Sequence, residues 1–165
     1  MPESCPVCSS TVEREGAYVF CTAGISCPAQ LKGSVVHWAS REACDIEGLG
    51  EKTAELLIQE NLIRDISDLY ILDREDLLAL EGFSDKSADN LYSALQEATE
   101  IDLDIFLYAL GIRHIGEHTA RVTASAMKSL DTCMGASGED FERIPEVGPE
   151  AAHSIYSFFH EQKNR

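Results

Sequence analysis

Ile46-Glu47-Gly48-Leu49-Gly50-Glu51-Lys52-Thr53-Ala54 is a short polar turn held between apolar anchors, and the chain repeats its pattern three more times. The other copies are Leu80-Glu81-Gly82-Phe83-Ser84-Asp85-Lys86-Ser87-Ala88, Ile112-Arg113-His114-Ile115-Gly116-Glu117-His118-Thr119-Ala120 and Ile144-Pro145-Glu146-Val147-Gly148-Pro149-Glu150-Ala151-Ala152. They begin 34, 32 and 32 residues apart, and self-similarity at such a period marks an array of one supersecondary unit. The first position is always a large aliphatic, the fourth is always apolar, and the ninth is always alanine. Apolar residues then continue at helical spacing, as in Leu57 and Ile58, Leu91 and Leu95, or Ile155 and Phe159. A second helical pattern precedes the turns, as in Asp68-Leu69-Tyr70-Ile71-Leu72 and Phe106-Leu107-Tyr108-Ala109-Leu110. Each unit therefore reads as helix, tight hairpin, helix, with the alanine letting the two helices approach closely.

These units form the helix-hairpin-helix pattern, which resembles known binders of the DNA backbone. The chemistry follows from the turn. A hairpin glycine permits positive φ and a close approach of the main chain to another surface. The hairpin opens straight into a helix N-terminus, whose unpaired amides and positive dipole end suit a phosphate. Such contacts position a duplex without reading its bases. The candidate DNA contacts are Gly48, Gly50, Lys52, Gly82, Lys86, Arg113, Gly116, His118, Arg121 and Gly148. The copies are unequal. At the seventh position stand Lys52, Lys86, His118 and Glu150: two cations, one conditional cation and one repulsive charge. Ser84 replaces the hairpin glycine in the second copy. The first and third hairpins are thus the strongest candidates, then the second, then the fourth. The alternative is that the glycines only cap helices, leaving a structural or protein-interaction module without DNA contact.

Upstream, Cys5-x2-Cys8 and Cys21-x5-Cys27 place four thiols within 27 residues. Two such pairs can close a tetrahedron around one zinc ion, and four thiolates leave no open position, so the ion would be structural. Two disulfides or buried thiols are the other readings. Thr11-Val12-Glu13 and Ala17-Tyr18-Val19-Phe20 read as short strands around Glu15-Gly16. A segment of about 35 residues buries too little apolar surface to fold alone; zinc can supply the difference. His37 lies ten residues past Cys27 and reads as non-ligating. Cys44 and Cys133 read as small core residues.

The expected fold is therefore mainly α. Residues 1–36 form a small four-cysteine zinc finger with short β-strands. Residues 37–165 form an all-α domain of four helix-hairpin-helix repeats, with hairpins at 46–54, 80–88, 112–120 and 144–152. The net charge of −16 limits the DNA reading. Residues 1–44 hold three Lys/Arg against four Asp/Glu, a net of −1; the rest hold ten against twenty-five, a net of −15. That field opposes non-specific attraction to phosphates, so contact depends on backbone amides and a few placed cations. No apolar run spans a membrane and no signal peptide opens the chain; the expected setting is the cytoplasm. Carboxylate pairs such as Glu75-Asp76 and Glu139-Asp140 read as solvated helix faces rather than a nuclease centre.

Taken together, the four cysteines, Cys27-Pro28-Ala29-Gln30, His37-Trp38-Ala39-Ser40-Arg41, Asp45–Gly50, Leu80-Glu81-Gly82-Phe83, Lys86-Ser87-Ala88 and Ala109–Gly116 resemble the C-terminal portion of bacterial NAD-dependent DNA ligases. The resemblance covers essentially the whole chain. It implies a structural zinc site and repeats that grip the minor-groove side of a nicked duplex in replication and repair. It implies a monomer whose adenylation and OB-like domains precede Met1 and whose BRCT domain follows Arg165. The Lys-x-Asp-Gly stretch that carries nucleotidyl transfer in that family does not occur. The chain is therefore expected not to be an enzyme on its own, and NAD belongs to the parent protein only. Ser84, Cys44 and the acidic balance depart from the family pattern.

Overall fold

The computed structural model describes residues 4–9, 12–16, 18–21, 27–161 and 164. The chain divides into two compact units, Met1–Ala39 with Ile46–Thr99, and Ser40–Asp45 with Glu100–Arg165. Residues 36 and 37, between which the motifs placed a boundary, both lie in the helix Pro28–Trp38.

The first unit opens with an antiparallel pair, β1 (Val12–Glu15) and β2 (Tyr18–Cys21), with Val12 opposite Cys21 and Glu15 opposite Tyr18. Gly16 takes φ +58° in the turn, a left-handed value that glycine adopts without steric cost. Thr11 and Ala17, included in the strands expected from sequence, lie outside the described residues. Helix α1 (Pro28–Trp38) follows, with Cys27 as its extended N-cap and Pro28 in its first turn. Proline suits that position because its missing N–H would be unpaired there anyway. Leu31, Val35 and Trp38 form its buried stripe, and α1 packs on α2 (Glu51–Gln59). Trp38 donates from Nε1 to Tyr70 Oη at 2.8 Å.

The apolar cluster at 68–72 does not make the expected helix. It forms one 3-10 turn, Ser67–Tyr70. Asp65 and Asp68 explain this: the Asp68 carboxylate accepts from the Arg64 and Asp65 amides, and Asp65 accepts from those of Ser67 and Asp68. Such local bonds offer the backbone an alternative to a helix. The first helix of the second hairpin is instead α3 (Arg74–Leu78), started by a reciprocal Asp73–Asp76 capping box. It packs on α4 (Asp85–Glu97), and Arg74 ties the two by ion pairs to Asp85 and Asp89.

The second unit holds α5 (Leu103–Ala109), α6 (Glu117–Met127), α7 (Leu130–Gly135), α8 (Gly138–Glu142) and α9 (Pro149–His160). The pairs α5–α6 and α8–α9 flank the third and fourth hairpins. Leu107, Cys133, Phe141 and Ile155 pack in one core. Thr123 is fully buried there, and its hydroxyl meets no hydrogen-bond partner among the described residues. A buried unpaired hydroxyl carries an uncompensated desolvation penalty. Thr123→Val is therefore expected to raise stability by about 1 kcal/mol, or about 3 °C in melting temperature. A thermal melt showing a loss instead would mean that the hydroxyl is bonded in solution.

All four hairpins share one backbone. The fourth-position amide donates to the first-position carbonyl: Leu49 to Ile46, Phe83 to Leu80, Ile115 to Ile112 and Val147 to Ile144, at 3.0–3.2 Å. The ninth-position alanine amide closes the first helical bond to the fifth-position carbonyl at 2.9 Å in every copy. Ala54, Ala88, Ala120 and Ala152 are at most 1% exposed, as close helix approach requires. Positive φ falls on the third position: Gly48 +89°, Gly82 +82°, His114 +64° and Glu146 +70°. A turn closed by a first-to-fourth hydrogen bond can demand a left-handed third residue. The fifth residue is an extended helix N-cap.

Candidate functional site

The four N-terminal cysteines converge. Cys5 and Cys8 come from one turn, Cys21 ends β2, and Cys27 caps α1. Their sulfurs all lie within 4.8 Å of one another, with Cys5–Cys27 at 3.9 Å and Cys8–Cys21 at 3.3 Å. These spacings exceed a disulfide bond of about 2.05 Å. They bracket the separation of about 3.8 Å between sulfurs bound about 2.3 Å from one tetrahedral zinc. The N-terminus of α1 adds a positive dipole end beside the thiolates. Among the residues before Cys27 whose burial is described, Cys5 alone is buried, while Val7 is 55% and Tyr18 71% exposed. The four-thiol donor set fits a structural ion. His37 is absent from the converging group. Burial pushes the Cys44 thiol up to about 11 and the Cys133 thiol up as well, so both stay protonated near neutrality. Cys133 is a core residue as expected; Cys44 is half-buried.

The hairpin N-caps have similar extended backbones: φ is −92° at Gly50, −108° at Ser84, −93° at Gly116 and −75° at Gly148. Negative φ needs no glycine. A Cβ built on Gly50, Gly116 or Gly148 would meet nothing within 4 Å. Neither conformation nor internal packing requires glycine at these three sites, and each leaves open space over amides that no side chain caps. Gly82 is likewise open, whereas Gly48 faces Leu91 at 3.8 Å, and both take positive φ.

The second hairpin differs in chemistry rather than in fold. Ser84 keeps the extended cap, but its hydroxyl accepts from the Ser87 amide and the Ser87 hydroxyl accepts from the Ser84 amide. Two of the hairpin's amides, those of Ser84 and Ser87, are thus paired within it. In the fourth, Pro149 removes one amide and Glu150 adds a negative charge in the first turn. Lys52, Lys86, Arg113 and Arg121 are exposed on the first, second and third hairpins. His118 is exposed too, but its Nε2 lies 2.7 Å from Glu146 Oε2. Each hairpin's candidates lie within its own turn and the start of the helix that follows; the N-caps at Gly50, Gly116 and Gly148 are open, and that at Ser84 carries a capping box. Sequence reasoning missed Ser87, Glu146 and Pro149. A hydroxyl three residues after Ser84 and a non-glycine at the third position were the available signals.

Comparison with known proteins gives two family models. "SAM-like Helix-hairpin-helix tandem" matches residues 40–97, and "Helix-hairpin-helix motif" matches 105–165. Similar curated proteins include the DNA ligases of Salinibacter ruber (49% identity over 167 residues, 100% of this chain and 24% of that protein), Coxiella burnetii (46% over 166, 99% and 24–25%) and Geotalea uraniireducens (42% over 165, 99% and 25%). The chain thus spans about a quarter of the length of the relatives it matches.

Proposed function

The chain belongs to the DNA ligase family, whose C-terminal portion it matches along its whole length, and from that premise we propose that it is the family's sequence-independent DNA-binding module. It holds the minor-groove side of a nicked duplex through the backbone amides of its hairpins, aided by Lys52, Lys86, Arg113 and Arg121. Gly48, Gly50, Gly82, Gly116 and Gly148 keep the approach clear, with the first and third hairpins dominant. Cys5, Cys8, Cys21 and Cys27 hold one structural zinc ion and so form the finger assigned to residues 1–36, ahead of the repeats at 37–165. Nick sealing in replication and repair, dependence on NAD, monomeric state and work beside adenylation, OB-like and BRCT domains at the bacterial nucleoid are properties proposed for the whole ligase. No helix among the described residues is long and apolar enough to cross a membrane.

The observation that carries this reading is the set of three glycine N-caps, at 50, 116 and 148, whose missing Cβ atoms leave open space that the fold itself does not use. Glycine where neither φ nor packing asks for it points to close approach by something outside the chain, and an uncapped helix N-terminus selects an anion. The test is a mobility-shift titration of the zinc-loaded chain against nicked and intact duplexes of unrelated sequence. Binding should be nearly indifferent to sequence and fall steeply with salt, as counterion release demands. Absence of any complex at low salt would overturn the reading in favour of a protein-interaction module.

A further inference from the structure

We propose that Glu146 restrains the DNA affinity of the third hairpin by engaging His118; this rests on the DNA-binding reading above. The argument comes from the chain's departures from its own repeat. At the third position the first two hairpins carry Gly48 and Gly82, but the fourth carries Glu146 in the same left-handed conformation, φ +70°. At the seventh position the first two carry Lys52 and Lys86, but the third carries His118. These two departures meet. Glu146 reaches 28 residues back to place Oε2 at 2.7 Å from His118 Nε2. A left-handed backbone at a residue with a side chain is disfavoured, yet here it presents the carboxylate to the second residue of α6. Both side chains are open to water, His118 at 62% and Glu146 at 65%. The bridge therefore lies on the surface that a duplex would approach, beside the amides that Gly116 leaves uncapped.

Glu146 acts in two ways there. It occupies the side chain at the position where the first two hairpins offer a lysine ammonium, and it sets a negative charge beside the first turn of α6. Removing it makes the third hairpin electrostatically more like the first.

The test measures fluorescence anisotropy of a labelled nicked duplex with the full zinc-loaded chain across a salt series. Glu146→Gln should tighten binding roughly three- to tenfold at low salt. His118→Lys alone should gain less than about twofold, because Glu146 would hold the new ammonium. The pair His118→Lys with Glu146→Gln should exceed the sum of the single changes and steepen the salt slope by about one phosphate contact. Glu142→Gln, which removes the same charge from exposed α8, controls for net charge. Full gain from His118→Lys alone, or equal gains from Glu146→Gln and Glu142→Gln, would overturn the inference while leaving the DNA-binding reading intact. No binding by the unmodified chain would overturn that reading and this inference together.

Discussion

Stripping zinc from this protein is expected to unfold the cysteine segment and release the start of α1, while the second unit keeps its structure. The size of the effect follows from how little of the described segment before Cys27 is buried. Cys5 is the one buried side chain there among those described, and Val7 and Tyr18 face solvent. Two four-residue strands cannot offset the conformational entropy of ordering the segment. Metal binding by four thiolates contributes on the order of 10 kcal/mol, so its loss exceeds whatever margin remains. Damage then travels along the chain, because Cys27 is both one of the four converging thiols and the N-cap of α1, the helix that packs on α2. The second unit has its own core around Leu107, Phe141 and Ile155. Elemental analysis should find one zinc per chain. Amide spectra recorded through a chelator titration should lose dispersion over residues 4–38 and retain it over 103–160, and Cys27→Ser should reproduce the loss. An unchanged spectrum after complete zinc removal would sink the assignment.

Replacing Gly50 and Gly116 together with phenylalanine should weaken duplex binding about a hundredfold and barely move the melting temperature. Each uncapped N-terminus offers amides to an anionic oxygen, and losing a hydrogen bond to a charged group costs about 1.5–3 kcal/mol. A large side chain at either site projects where the phosphate must come. The fold pays almost nothing for the change: φ near −92° suits any residue, no protein atom lies within 4 Å of the new Cβ, and loss of a glycine cap costs less than about 1 kcal/mol. Gly33→Phe is a matched control, because that glycine also has open space but sits within α1 rather than at a hairpin N-cap. Anisotropy titrations and thermal melts on the same samples separate the two effects. Unchanged affinity in the double variant would remove the hairpins from the interface.

The repeat was legible because a period carries its own register. Four aliphatics, four apolar residues and four alanines in step leave little freedom in where the turns fall. The thiol convergence was legible for a similar reason, since ligand spacing is local. Conformation at single positions was harder to read. Glycine at both the third and fifth positions of the first copy hides which one is left-handed, and the non-glycine residues His114 and Glu146 carry the answer. The stretch at 68–72 looked helical by its apolar content, but Asp65 and Asp68 redirect its amides. The pair His118 and Glu146 joins residues 28 apart, and no short-range pattern announces such a meeting.

The shared extended N-cap has a consequence for how such arrays diversify. Ser84 shows that the fifth position can change identity without disturbing its hairpin: cap, turn and helix start match those of the glycine copies, while the Ser84 and Ser87 amides become internally paired. Folding and grip are thus set at different sites within one nine-residue unit. An ancestral array of identical units could drift copy by copy, each switching its hold on a ligand on or off by a single codon change that selection for stability would not see.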